Sequence, residues 1–193
     1  MDQSFLQREK LILASKSPRR AEILTAAGWP FEAVTAGIDE TRNSAEEATA
    51  YVLRLARAKA NAVAERLGQG LVLGADTVVV IDGEILGQPG DHEKARTMLQ
   101  KLNGKWHEVI TGIALVRAGT GQSIANHVTT RVRFSEMTEA EIDWYVQTDE
   151  PLDKAGAYAI QGLAAVFIKE IQGEYFNVVG LPVRLLYELS QKV

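Results

Sequence analysis

"LVLGADTVVVIDGEIL", residues 71–86, is apolar and β-branched, and its Asp82-Gly83 pair is a strong signal for a type I′ hairpin turn. The stretch reads as a strand that folds back on itself. Upstream, "LILASKSPRRAEILTAAG", residues 11–28, reads as a strand, a hydroxyl-rich turn and a helix. Ser17 is the expected N-cap, Pro18 takes the first helical position and Gly28 lies near the stop. "FEAVTAGIDE", residues 31–40, is a short strand running into an acidic turn at Asp39 and Glu40. A helix over roughly 45–67 follows, because Val52, Leu55, Ala56, Val63 and Leu67 recur at helical spacing, with Lys59 inside the same stripe.

Downstream of the hairpin, residues 91–104 read as a helix capped by Asp91, with Ala95, Met98, Leu99 and Leu102 on one face and Gly104 as stop. Two strands are expected at about 106–117 and 123–134, joined by the glycine-rich "AGTGQ". Thr138 and Glu141 form a capping box for a short helix to about Gln147. The charged "DEPLDKAG" leads to "AYAIQG", a strand around "AAVFIKEI", a turn at Gln172-Gly173 and a terminal helix with Pro182 near its start. Strands alternate with helices, yet hairpins are present. The fold class is therefore α/β, with a mixed rather than purely parallel β-sheet and flanking helices.

The 193 residues contain no linker-like stretch or repeat, so one domain over 1–193 is expected. A net charge of -4 argues against a broad nucleic-acid partner and favours a local, small anion site. The absence of cysteine excludes disulfides, thiolate metal sites and a cysteine nucleophile. The first 15 residues lack the basic start and apolar run of a signal peptide, and no stretch reaches the ~18 apolar residues of a membrane span, so a cytoplasmic location is expected.

Four features carry chemistry. Arg19 and Arg20 open a helix, where the dipole makes each cation unfavourable by roughly 0.3–1 kcal/mol, so a negative partner is required. Asp76 interrupts an apolar strand beside Gly74 and Ala75; either it faces solvent, or a metal, cation or hydrogen bonds compensate it, and the small neighbours suggest close approach of a ligand. Lys59 either snorkels past the core edge or points a charge inward, and Glu40 sits in the acidic turn. Carboxylates at 40 and 76 with cations at 19, 20 and 59 supply the parts for holding a polyphosphate with a hard divalent cation. Competing motifs fail: there is no P-loop, no G-x-G-x-x-G after a strand, no G-x-S-x-G, and the three histidines lack metal-ligand spacing.

"LILASKSPRRAEIL", "VLGADTVVV", "DEPLDKAGAYAIQG" and "VVGLPV" resemble, in order and spacing, the Maf family of nucleoside triphosphate pyrophosphatases over essentially the whole chain. The resemblance implies a fold like that of the inosine triphosphate pyrophosphatases, with a cleft between two lobes, and often a homodimer. It implies cleavage of a nucleoside triphosphate to the monophosphate and pyrophosphate, dependent on Mg²⁺ or Mn²⁺. Arg19 after Pro18, Thr77 after Asp76, and Gln161 resemble the branch acting on dTTP and UTP; the 7-methyl-GTP branch typically has Trp in place of Arg19. By the same matching Asp76 is the proton acceptor, Glu40 and Asp76 hold the metal, Arg20 and Lys59 meet phosphate charge, and Ser15, Arg19, Thr77 and Gln161 bind substrate. The implied mechanism is attack of a metal-activated water on the α-phosphorus. One departure is Gln88 before Pro89, where the family usually has lysine; Lys94 or Lys154 are the candidate replacements. Two functions follow from the resemblance: a dTTP/UTP pyrophosphatase cleansing the nucleotide pool, with a role in cell-division arrest, or a weakly catalytic nucleotide-binding regulator of cell division.

Overall fold

The computed structural model describes residues 9–43 and 45–193. The chain runs β1 (Leu11–Leu13), α1 (Pro18–Ala26), β2 (Phe31–Ala33), α2 (Ala48–Leu67), β3 (Leu71–Ile81), β4 (Glu84–Leu86), α3 (His92–Leu102), β5 (Trp106–Arg117) and β6 (Ser123–Phe134). After α4 (Glu139–Val146), 3₁₀ turns at Glu150–Asp153, Ala155–Ala157 and Leu163–Phe167 precede β7 (Ile168–Gln172), α5 (Tyr175–Val179) and α6 (Val183–Ser190). The strands form one mixed sheet of order β2-β1-β3-β5-β6-β7, with β4 on β3. β1 is parallel to β2 and β3, whereas β4 on β3 and β7 on β6 are antiparallel.

The opening hairpin forms as its sequence demands. Ile81 pairs with Glu84, and Asp82 and Gly83 both take positive φ, 50° and 79°, as a type I′ turn requires. The capping box on α4 is complete, and the Asp91 side chain caps α3 by accepting from the Lys94 amide at 2.8 Å. Two local readings change. Ser17 holds the N-cap position of α1 but makes no side-chain cap bond; Ser15 Oγ instead accepts the Ser17 amide at 3.1 Å. The strand expected around residues 164–171 is split into a 3₁₀ turn to Phe167 and a strand from Ile168, and α5 was not anticipated.

The chain divides into two compact units. Among the described residues one holds 9–43, 45–76, 112–127 and 180–193, the other 77–111 and 128–179, so β3, β5 and β6 contribute residues to both. In the first unit Ala56, Ala60, Val63 and Ala64 of α2 pack with Ile12, Val72, Ala114 and Val116 of the strands. The helix lies unusually close because the strands present glycine beneath it. A Cβ on Gly74 would fall 2.0 Å from the Ala56 carbonyl oxygen, and one on Gly112 would fall 2.8 Å from that of Val52. What approaches Gly74 is thus a helix backbone and not a ligand, which corrects the reading of its small size. In the second unit Phe134, His107 and Tyr158 meet edge to face with ring centroids 4.9–5.4 Å apart, and the His107 ring hydrogen-bonds the Tyr158 hydroxyl at 2.8 Å.

Candidate active site

In the first unit, the close seating of α2 carries the Lys59 side chain to the strand residue that most needs it. Lys59 and Asp76 are each only 8% exposed. The Lys59 ammonium donates to Asp76 Oδ1 at 2.7 Å and to Glu40 Oε2 at 2.6 Å. Lys59 does not snorkel, and Asp76 does not face solvent. Burial pushes the Asp76 carboxyl above the usual carboxylate range, the charges of Lys59 and Arg20 pull it back, and Glu40 adds to the rise.

Glu40 reaches this pair from an exposed turn that α2 itself anchors. The Tyr51 hydroxyl donates to the Glu40 backbone carbonyl at 2.8 Å, and Arg54 donates to the Thr41 carbonyl at 3.2 Å and to both Glu46 oxygens at 2.7 Å. Burial and the charges of Asp76 and Glu40 raise the Tyr51 phenol above its ordinary value, so Tyr51 stays a donor at neutral pH.

Arg20 turns back from the first turn of α1. Its guanidinium donates to Ser15 Oγ at 3.1 Å and to the Gly180 carbonyl at 2.9 Å. Burial lowers its pKa, while the charges of Asp76 and Glu40 oppose the drop; at its high reference value the group stays cationic. Part of the negative charge that the helix start requires therefore comes from the protein's own carboxylates. Arg19 lies half-buried beside it. Ser15, Arg20, Glu40, Lys59 and Asp76 thus form one linked polar group, from positions dispersed over more than sixty residues.

In the second unit, Thr77 is half-buried and its hydroxyl lies 2.9 Å from that of Thr111. Gln161 is exposed in the turn after the 3₁₀ segment, and Gln88 is exposed ahead of the buried Pro89. Of the two lysines considered as replacements for a cation at 88, Lys94 pairs with Asp91 at 2.8 Å and Lys154 with Asp153. The turn preceding Gln161 is braced by a contact the sequence did not suggest: the Tyr145 hydroxyl donates to Glu150 Oε1 at 2.8 Å and accepts the Ala159 amide at 3.2 Å. Thr111 and Asn177 were also missed. The available signal was a hydroxyl within the apolar "VITGIALV" and an amide within "YFNVV".

Among the described residues no helix is long and apolar enough to cross a membrane. The fold is similar to a HAM1 protein from Coxiella burnetii, with a TM-score of 0.54, 15% identity and coverage of 95% of this chain and 99% of that one. The same values relate it to the Staphylococcus aureus Ham1 protein. Sequence relatives are much nearer. The chain is 50% identical over 184 residues to a dTTP/UTP pyrophosphatase from Symbiobacterium thermophilum, covering 95% of this chain and 94% of the relative. It is equally identical to a dTTP/UTP pyrophosphatase from Bacillus cytotoxicus, covering 95% of each. The Maf-like protein family model matches residues 10–193, which contain the whole linked group from Ser15 to Asp76; with half of the residues over 95% of the chain shared with such relatives, the chain belongs to that family.

Proposed function

We propose that this protein hydrolyses dTTP and UTP to the nucleoside monophosphate and pyrophosphate. The observation that carries the reading is the buried Asp76 carboxylate held by Lys59 at 2.7 Å, with Glu40 and Arg20 converging on it. Relatives that share half the sequence over nearly their whole length carry the name of that activity.

In this reading Asp76 is the general base. Burial makes the carboxylate more basic than an ordinary one, which suits it to take a proton from water as the water oxygen attacks the α-phosphorus. The bond from the α-phosphorus to the bridging oxygen breaks, and pyrophosphate leaves with the electron pair. Lys59 and Arg20 supply fixed positive charge for the phosphate oxygens, and Ser15 orients Arg20. Gln88 donates hydrogen bonds to the triphosphate without charge. Arg19, Thr77 and Gln161 read the base; uracil and thymine present acceptor, donor and acceptor along one edge, whereas cytosine presents acceptor, acceptor and donor.

The donor set fits a hard divalent cation. Two carboxylates sharing one ammonium, with no group of three or more His, Cys, Asp or Glu ligands among the described residues, suit Mg²⁺ or Mn²⁺ held jointly with substrate oxygens rather than in a closed protein cage. Glu40 and Asp76 would hold it. Such an ion neutralises charge on the departing pyrophosphate when bound. A homodimer is the assembly we expect, readable by light scattering.

Incubation with dTTP, UTP, CTP and 7-methyl-GTP plus Mg²⁺ or Mn²⁺ tests the proposal. Pyrophosphate release from dTTP and UTP is the expected result. Binding without turnover would replace it with a nucleotide-binding regulator, and orthophosphate as first product would overturn the α-phosphorus attack. Asp76→Asn should abolish hydrolysis while nucleotide still binds.

A further inference from the structure

The hydroxyl of Thr77 touches that of Thr111, and either could be the donor when the pair is considered alone. The next contact removes the ambiguity. Thr111 Oγ1 lies 2.9 Å from the backbone carbonyl of Asn177, and a carbonyl only accepts, so the single Thr111 proton is spent there. The 2.9 Å contact with Thr77 then requires Thr77 to be the donor. A hydroxyl has one proton. Toward any other group, Thr77 Oγ1 can act only as an acceptor.

The chain that sets this polarity is directional throughout. Asn177 gives its two side-chain protons to the Val109 carbonyl and to Thr130 Oγ1, each at 2.9 Å. Thr130 in turn donates to the Glu174 carbonyl at 3.2 Å and accepts the Glu174 amide at 3.1 Å. Asn177 is thereby tied to both β5 and β6, which holds its carbonyl against Thr111. Thr111, Thr130 and Asn177 are all fully buried, so no bulk water competes for their protons.

We propose that Thr111 is a positioning residue that fixes Thr77 as a hydrogen-bond acceptor and so makes the site select pyrimidines whose N3 carries a hydrogen. The proposal rests on the reading of Thr77 as a contact to the base. Along the uracil or thymine edge the one donor is N3–H, flanked by two carbonyl acceptors. An acceptor-only hydroxyl matches it. Cytosine places an unprotonated nitrogen there, so acceptor would face acceptor, and its one donor, the amine, lies at the end of the edge. A hydroxyl free to turn would instead donate to the cytosine nitrogen and accept both bases, as hydroxyl contacts commonly do.

The test is the UTP-over-CTP ratio of kcat/KM for Thr111→Val, Thr111→Ser and Thr77→Val, with melting curves to establish folding. Thr111→Val releases the Thr77 proton and should lower the ratio at least tenfold, chiefly through a lower KM for CTP. Thr111→Ser keeps the relay and should keep the wild-type ratio. A ratio unchanged in Thr111→Val but lowered in Thr77→Val overturns the proposal and leaves base reading by Thr77 standing; a ratio unchanged in Thr77→Val overturns both. Serine behaving like valine at 111 would show a merely structural threonine. Should Thr111→Val fail to fold, the native protein still decides the matter with 5-bromo-UTP, whose N3 imide ionises at lower pH than that of UTP. Its KM should rise relative to that of UTP as its imide loses the proton, and a KM that falls or does not move overturns an acceptor at position 77.

Discussion

Replacing Lys59 by methionine keeps the length of the side chain and removes the charge that Asp76 and Glu40 share. The ammonium lies 2.7 Å from Asp76 Oδ1, and at an effective dielectric constant of about 20 the lost attraction is roughly 6 kcal/mol. Arg20 still acts on Asp76, and water entering the vacated space weakens the effect, but the largest charge lowering the carboxyl is gone, so we expect the acid limb of kcat/KM to move to higher pH. The same charge enters stability. An unpaired carboxylate at a site only 8% exposed costs on the order of 3–5 kcal/mol when ionised. Protonation relieves it. Because the folded Asp76 pKa lies above its unfolded value, the folded state binds the proton more tightly. The variant should therefore be nearest wild type at low pH and lose stability as pH rises through the folded pKa. Pyrophosphate release across pH 5–9 and urea denaturation at two pH values measure both effects. An acid limb in Lys59→Met that coincides with wild type, together with a stability loss that does not grow with pH, would refute the assignment of Lys59 as the counter-charge of Asp76.

Other consequences are more local. Gly74→Ala places a Cβ 2.0 Å from the Ala56 carbonyl, and we expect a loss of at least about 3 kcal/mol in denaturant unfolding; a loss under about 1 kcal/mol would mean α2 is not seated on that glycine. Burial lowers the His107 pKa to about 4, so the unfolded chain takes up a proton between about pH 6.5 and 4 that the folded chain refuses. Stability should be fully present above pH 6.5 and fall by about 2 kcal/mol by pH 5, a dependence that His107→Gln should flatten. Gln88→Lys should raise kcat/KM for UTP several-fold by restoring charge toward the triphosphate, and an unchanged value would mean that cation is supplied elsewhere. Arg19→Ala should weaken the preference for UTP over CTP, measured side by side at one metal concentration.

Much of the fold was legible because its signals are short-ranged. Both positive-φ residues of the Asp82-Gly83 turn, the cap at Asp91, the reciprocal Thr138–Glu141 box and the bounds of β5 and β6 follow from neighbours a few residues apart. The break at Phe167 and the short α5 were not legible, since "AAVFIKEI" has the composition of a strand throughout, yet its first half folds as a 3₁₀ segment and the strand begins only at Ile168. At the site, residue types and order identified Asp76, Lys59, Glu40 and Arg20 as charges needing partners, without saying which partner each would take.

Those partnerships belong to the tertiary structure. The small size of Gly74 suggested a close approach without saying of what, and Gly112 gave no such signal; it is α2 lying across both that brings Lys59 to Asp76 seventeen residues away. The polarity of Thr77 depends on Thr111 and on a carbonyl from residue 177, a hundred positions further on. By itself the sequence determined the element types, the turns and the inventory of chemical groups, because these depend on local backbone preference and on side-chain identity. Which charges neutralise one another and which hydroxyl donates were decided only by the folded structure, because burial and hydrogen-bond direction exist only once distant segments share the same few ångströms.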